Sequence, residues 1–178
     1  NWRDIKHPLA GGAEISTHEH AKAWVRAGHS VIQFSSSFPG AKKNEEIDGI
    51  VIIRKGNHYT VHLFAFLYYI KNLRGKIQLI VDEFHFIPFF TPLYTMCKKI
   101  AFIHETAEEV WFKNQYFPVN ILGFLLEPWF FKLYKNVPFI TVSDSTKNDL
   151  MRFGIPNRNI HVIHNGIKVI NSQENKEK

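Results

Sequence analysis

Ionisable and hydroxyl side chains collect directly after apolar runs in this sequence. Ile77–Val81 leads into Asp82, Glu83 and His85; Ile100–Ile103 into His104, Glu105 and Thr106; Phe139–Val142 into Ser143, Asp144 and Ser145. If these runs are strands of an open parallel sheet, their carboxyl ends share one edge, where such sheets bind ligands. His104 could donate a hydrogen bond or act as a base near neutral pH; a structural histidine bonded to backbone is the other reading. Gly11-Gly12 precedes a helical pattern. Glycine lets backbone approach a ligand closely, and free helix N–H groups favour an anion such as a diphosphate; a plain tight turn would use the same pair. Glu14, in the first turn of that helix, opposes a phosphate. It suits a sugar or acceptor hydroxyl, or simple helix-dipole placement.

Other constellations point nowhere definite. His18-Glu19-His20 has the wrong spacing for two ligands on one helix face, so no metal site is expected. Asp82-Glu83 could hold a divalent metal or an acceptor, or be a solvated strand end. The third glycine of a dinucleotide fingerprint is absent, as are a Walker A loop and a serine-hydrolase elbow. Cys97, the only cysteine, is expected on a buried helix face. A chain with one cysteine forms no internal disulfide, which leans towards a cytoplasmic setting.

The positioning elements follow from periodicity. Strands are expected at His29–Ser37, Gly49–Lys55, Ile77–Val81, Ile100–Ile103, Phe139–Val142 and Ile160–Ile163. Helices are expected after Gly12, at His58–Leu73, Phe86–Lys99, Val119–Tyr134 (kinked or split at Pro128) and Asp144–Phe153. Short, uniformly apolar strands alternating with helices specify an α/β fold: a Rossmann-like parallel sheet flanked by helices. Gly11-Gly12 lacks the strand that normally leads into such a turn, so a first strand is expected to be missing. The domain is expected over 1–167, with polar residues 168–178 as a linker or frayed end.

With 178 residues, 45% hydrophobic and 21% charged, the chain suits one globular domain and excludes a disordered tail or a disulfide scaffold. Its net charge of +6 favours anionic partners. Tryptophan and tyrosine are not interleaved with a Lys/Arg stripe, so nucleic acid is not expected. The longest apolar runs fall short of the roughly 20 residues of a membrane span.

Three stretches together resemble the N-terminal, acceptor-side domain of family 4 retaining glycosyltransferases of the GT-B fold: HPLAGGAEISTHEHAKAWVRAGHSV, the IHE turn at His104, and ITVSDSTKNDLMRFGIPNRNIHVIHNGI. The resemblance implies one of two Rossmann-like halves, with Gly11 and Gly12 at the donor diphosphate and His104 near the donor's anomeric centre. It implies that Glu14, Asp82, Glu83, His85, Glu105, Ser143 and Asp144 line the acceptor side. The Asn165-Gly166 turn would lead into the second domain. The implied reaction moves a sugar from a nucleotide-sugar to an acceptor hydroxyl with retention, in glycan or glycolipid biosynthesis, without a metal or other cofactor. The implied partners are a nucleotide-sugar donor and a sugar or lipid-linked acceptor; the +6 charge and the aromatic helices at Phe64–Tyr69 and Phe124–Phe131 would suit peripheral docking on an anionic membrane surface, at its inner face. The fragment alone is expected to be inactive. A free-standing, non-catalytic sugar- or protein-binding module is the alternative. A Rossmann-type oxidoreductase is a third reading, disfavoured by the missing glycine.

Overall fold

The computed structural model describes residues 2–108, 110–114 and 116–166; the expected linker at 168–178 and Ile167 lie outside them. Two sheets form. β1 (Val31–Ser35), β2 (Asn44–Ile47) and β3 (Ile50–Arg54) make a three-stranded sheet in the order β1-β3-β2. β4 (Leu79–Phe84), β5 (Lys98–Ile103), β6 (Phe139–Thr141) and β7 (Ile160–Val162) make a four-stranded one in sequence order. All pairings in the second sheet are parallel, with Leu79 opposite Lys98 and Phe84 opposite Ile103. The helices are α1 (Gly12–Arg26), α2 (Val61–Tyr68, prolonged by a π turn to Leu73), α3 (Val110–Asn114), α4 (Val119–Leu133) and α5 (Asp144–Arg152). The Rossmann-like α/β class is therefore as expected.

The single sheet is not. β2 pairs antiparallel to β3, through a turn in which Asp48 and Gly49 both have positive φ. An Asp-Gly pair with both residues left-handed is the two-residue hairpin turn that matches strand twist. The N-terminal segment joins the two sheets. The Trp2 carbonyl accepts from Ser36 N–H at 2.8 Å, and the Arg3 carbonyl from the Gln33 side chain. The Arg3 guanidinium reaches His85, just past β4.

Phe86–Lys99 is not a helix. It is an irregular loop with one 3₁₀ turn at Thr91–Leu93, and Lys98 already belongs to β5. Pro88 and Pro92 withhold two backbone donors, and Asp82 ties down the middle of the loop. Its carboxylate accepts from Phe89 N–H at 3.0 Å, Thr91 N–H at 3.2 Å, the Thr91 hydroxyl at 2.7 Å and the Tyr134 hydroxyl. Cys97 thus sits at the end of this loop, half-buried, and not on a helix face. α4 runs continuously through Pro128 and is not split there.

The main core lies beneath the second sheet. Phe84, Ile103, Phe131, Tyr134, Phe139 and Leu150 pack together, with Tyr134, Phe139 and Leu150 wholly buried. A smaller core joins Ala21 of α1 to Ile50 and Ile52 of β3. Between these cores, the carboxyl ends of β4 and β5 face the start of α1.

Candidate functional site

α1 begins at Gly11, whose extended backbone turns the chain into the helix. Gly11 and Gly12 are both exposed, and a Cβ at Gly12 would meet nothing within 4 Å. The helix therefore presents its N-terminus to solvent, with its dipole and unpaired N–H groups available to an anion. Glu14 closes the turn from inside. Its carboxylate accepts from Gly11 N–H at 2.7 Å and from Arg3 Nε at 2.9 Å, and it is 1% exposed. Arg3 offsets the negative charge that would otherwise repel a phosphate.

The other Arg3 nitrogen lies 3.0 Å from His85 Nε2. Arginine only donates, so His85 Nε2 is the acceptor and the ring is neutral, with its proton on Nδ1. Burial, together with the Arg3 charge, pushes the His85 pKa down to about 4. His85 is thus a fixed neutral group that keeps one N–H to offer.

Glu83 and His104 stand side by side on β4 and just past β5. Glu83 is 3% exposed beneath α1. Its Oε1 accepts from the Thr17 hydroxyl at 2.5 Å and lies 3.4 Å from His104 Nε2. That nitrogen is buried and makes no well-aligned hydrogen bond. Contacts of this length between a base and its orienting carboxylate commonly tighten when substrate binds. The His104 carbonyl accepts from the Thr146 hydroxyl at 3.1 Å, which ties the turn after β5 to the start of α5. Ala13, Phe84, His85, Phe86, His104, Glu105 and Ala107 line one cleft.

The structure therefore gathers Gly11, Gly12, Glu14, Glu83, His85, His104 and Glu105 at one edge. Asp82 does not join them. Adjacent residues of a strand point to opposite faces, and Asp82 is spent on the Phe89–Thr91 loop and on Tyr134. Glu83 lies under α1, beside His104, and not on an open acceptor surface. Ser143 is the N-cap of α5, its hydroxyl accepting from Thr146 N–H at 3.2 Å, and Asp144 is exposed in the first helical turn. Asn165 returns to the site: its side chain accepts from Ser16 of α1 at 3.0 Å, while Gly166 is exposed. His18 is bonded to Asp48, Glu19 to Lys22, and His20 packs on Phe102, so the three diverge. Among the described residues no group of three or more potential ligands could hold a metal ion. Sequence reasoning missed Arg3, whose hydrogen-bond partners Glu14, Gln33 and His85 are not its neighbours in the chain.

Residues 10–169 match the family profile of Glycosyltransferase Family 4. The match takes in every one of these residues except Arg3. The chain belongs to Glycosyltransferase Family 4. No curated protein matches its sequence.

In this family 4 domain the loop after His104 is held by another residue that the sequence did not single out. Glu127, on α4, is 4% exposed. Its carboxylate accepts from Ala107 N–H at 2.8 Å, Glu108 N–H at 2.9 Å and Trp111 Nε1 at 3.0 Å. Burial pushes its pKa up against the pull of those three donors. Trp111 in turn fills the space that a side chain at Gly123 would need, since a Cβ there would lie 2.3 Å from the indole. Glu127→Gln exchanges one acceptor oxygen for an amide donor facing other donors. The expected loss is about 1–3 kcal/mol, the cost of unsatisfied buried groups. Urea unfolding would measure it, and an unchanged midpoint would show that the loop holds without this carboxylate.

Proposed function

We propose that this chain is the acceptor-side domain of an enzyme that moves a sugar from a nucleotide-sugar to an acceptor hydroxyl with retention of configuration. Membership of the glycosyltransferase family supports sugar transfer in general. The observation that carries the finer reading is the buried nitrogen of His104, backed by Glu83 and set beside the exposed N-terminus of α1. In this reading the donor diphosphate lies against Gly11 and Gly12, where the helix dipole stabilises charge that grows as the phosphate leaves. Arg3 keeps Glu14 from cancelling that effect. His104 meets the donor sugar, and Glu83 fixes its ring so that no reorganisation is needed at the moment of transfer. His85 and Glu105 stand at the cleft rim, where the neutral imidazole N–H would donate to, and the carboxylate accept from, sugar hydroxyls. The acceptor is a sugar or a lipid-linked sugar; a lipid-linked one would bring the protein to a membrane surface. No step needs a metal, so transfer should survive EDTA.

The test is transfer by the full-length gene product from a panel of nucleotide-sugars, with the anomeric configuration of the product read by NMR. Retention with one donor class, unchanged by EDTA, is the expected result. An inverted product would overturn the retaining mechanism. Absence of transfer, together with sugar binding at the same cleft, would leave a binding module.

A further inference from the structure

The surface of α3 and α4 is unlike that of any other described helix but α2. α5 behaves as a surface helix should, burying Thr146 and Leu150 and exposing Asp144, Asn148 and Arg152. α4 buries only the stripe Gly123, Glu127 and Phe131. Most of the remaining helix surface is apolar and open to solvent: Leu122 is 54% exposed, Leu125 59% and Trp129 64%. Phe112 of α3 packs on Phe124 with ring centroids 5.3 Å apart and continues the patch. The face is rigid, because Trp111 is wedged against Gly123 and bonded to Glu127.

Its charge is one-sided. Between residues 110 and 138 the only acid is Glu127, and it is buried. Lys113, Lys132 and Lys135 are all exposed. The Lys132 ammonium sits 4.2 Å over the Trp129 ring, which joins the cationic rim to the apolar centre. No described helix is long and apolar enough to cross a membrane. An apolar face with an aromatic anchor and lysines at its border, too short to span, matches a helix lying in the interface of an anionic bilayer.

We propose that the α3–α4 face docks this domain on an anionic lipid surface, with Leu122, Leu125 and Trp129 inserted and Lys113 and Lys132 at the headgroups. This deepens the reading of a lipid-linked acceptor and rests on it only for its purpose. Vesicle binding is measured without donor or acceptor, so its failure and a failure of transfer are separate results.

The experiment is co-sedimentation of the full chain with vesicles of phosphatidylcholine containing roughly one-third phosphatidylglycerol. Binding to these, and weak binding to pure phosphatidylcholine, is expected. Lys113→Gln with Lys132→Gln should lower the partition coefficient about 25-fold, at roughly fivefold per lysine. Leu125→Glu with Trp129→Glu should lower it at least as much. All four side chains are exposed, and unchanged thermal midpoints would show that the variants fold. Equal binding to neutral and anionic vesicles would overturn the proposal, as would binding indifferent to both pairs of substitutions. A dimer seen by light scattering and abolished by Trp129→Glu, without vesicle binding, would also overturn it and assign the face to a second copy of the chain.

Discussion

Replacing His104 with alanine is expected to lower turnover of sugar transfer by roughly 10²–10⁴-fold, the usual range for a positioned acid–base or polar group at the reacting centre. The fold should survive. The backbone carbonyl of His104, which ties the turn to Thr146, is kept by alanine, and the ring gives up only a loose 3.4 Å contact with Glu83 and packing on Phe102. The ring nitrogen has no well-aligned partner to lose. The loss should therefore appear in kcat rather than in the unfolding midpoint. Glu83→Gln should cost less turnover. An amide can still accept a hydrogen bond from the imidazole, but it no longer stabilises positive charge there. A His104→Ala enzyme with unchanged kcat and a raised KM would mean that the ring only binds the donor. One with unchanged kinetics would remove it from the site.

The second sheet is legible in the sequence because its strands are short apolar runs, with β4 and β5 buried on both faces over their carboxyl halves. Ile100–Ile103, Phe139–Val142 and Ile160–Ile163 admit no other reading, and His104 follows from where the first of them ends. Asp82 and Glu83 were misplaced for a physical reason. A strand can continue through buried carboxyl side chains only where distant groups satisfy their oxygens, and those groups (Thr91 and Tyr134 for Asp82, Thr17 and His104 for Glu83) are not neighbours in the chain. Phe86–Lys99 has helical spacing of its aromatics, but Pro88 and Pro92 were the stronger signal. β2 is polar and lies at a sheet edge, so hydropathy hides it. Asp48-Gly49 ahead of an apolar strand was the available cue. The roles of Arg3 and Asp4 were out of reach, since nothing local distinguishes them from surface charges.

Asp4 carries the largest stability prediction. It and Arg54 have fully buried side chains, joined by two parallel hydrogen bonds of 2.7 and 2.8 Å. Ser35 and the Lys6 N–H also donate to the Asp4 carboxylate, and Arg54 is completed by Glu45 at 2.9 Å and the Lys42 carbonyl. Asp4→Ala leaves a buried guanidinium short of its partner and should cost about 3–5 kcal/mol, a large share of the stability of a domain this size. Urea unfolding at neutral pH would measure it. A double change to Asp4→Leu and Arg54→Met should recover part of the loss, because an apolar pair leaves no unpaired charge; a double variant no better than the single one would mean that the pair's geometry, not its charge, holds the segment. Burial works against the charge of Asp4, but Arg54, the Lys6 N–H and Ser35 outweigh it and hold the carboxyl below its usual range. A depressed carboxyl stabilises the fold fully above its unfolded pKa, near 3.8, and the contribution fades as pH falls through the folded value. The Asp4→Ala penalty should therefore be constant at neutral pH and shrink only under strong acid. The consequence extends to the cleft. Asp4 anchors the segment from which Arg3 reaches Glu14 and His85, so loosening it frees Glu14 to oppose a phosphate at Gly11 and releases His85 from the guanidinium that fixes its tautomer. Asp4→Ala should then weaken donor binding in addition to stability, measured as a raised KM at temperatures where the variant is still folded.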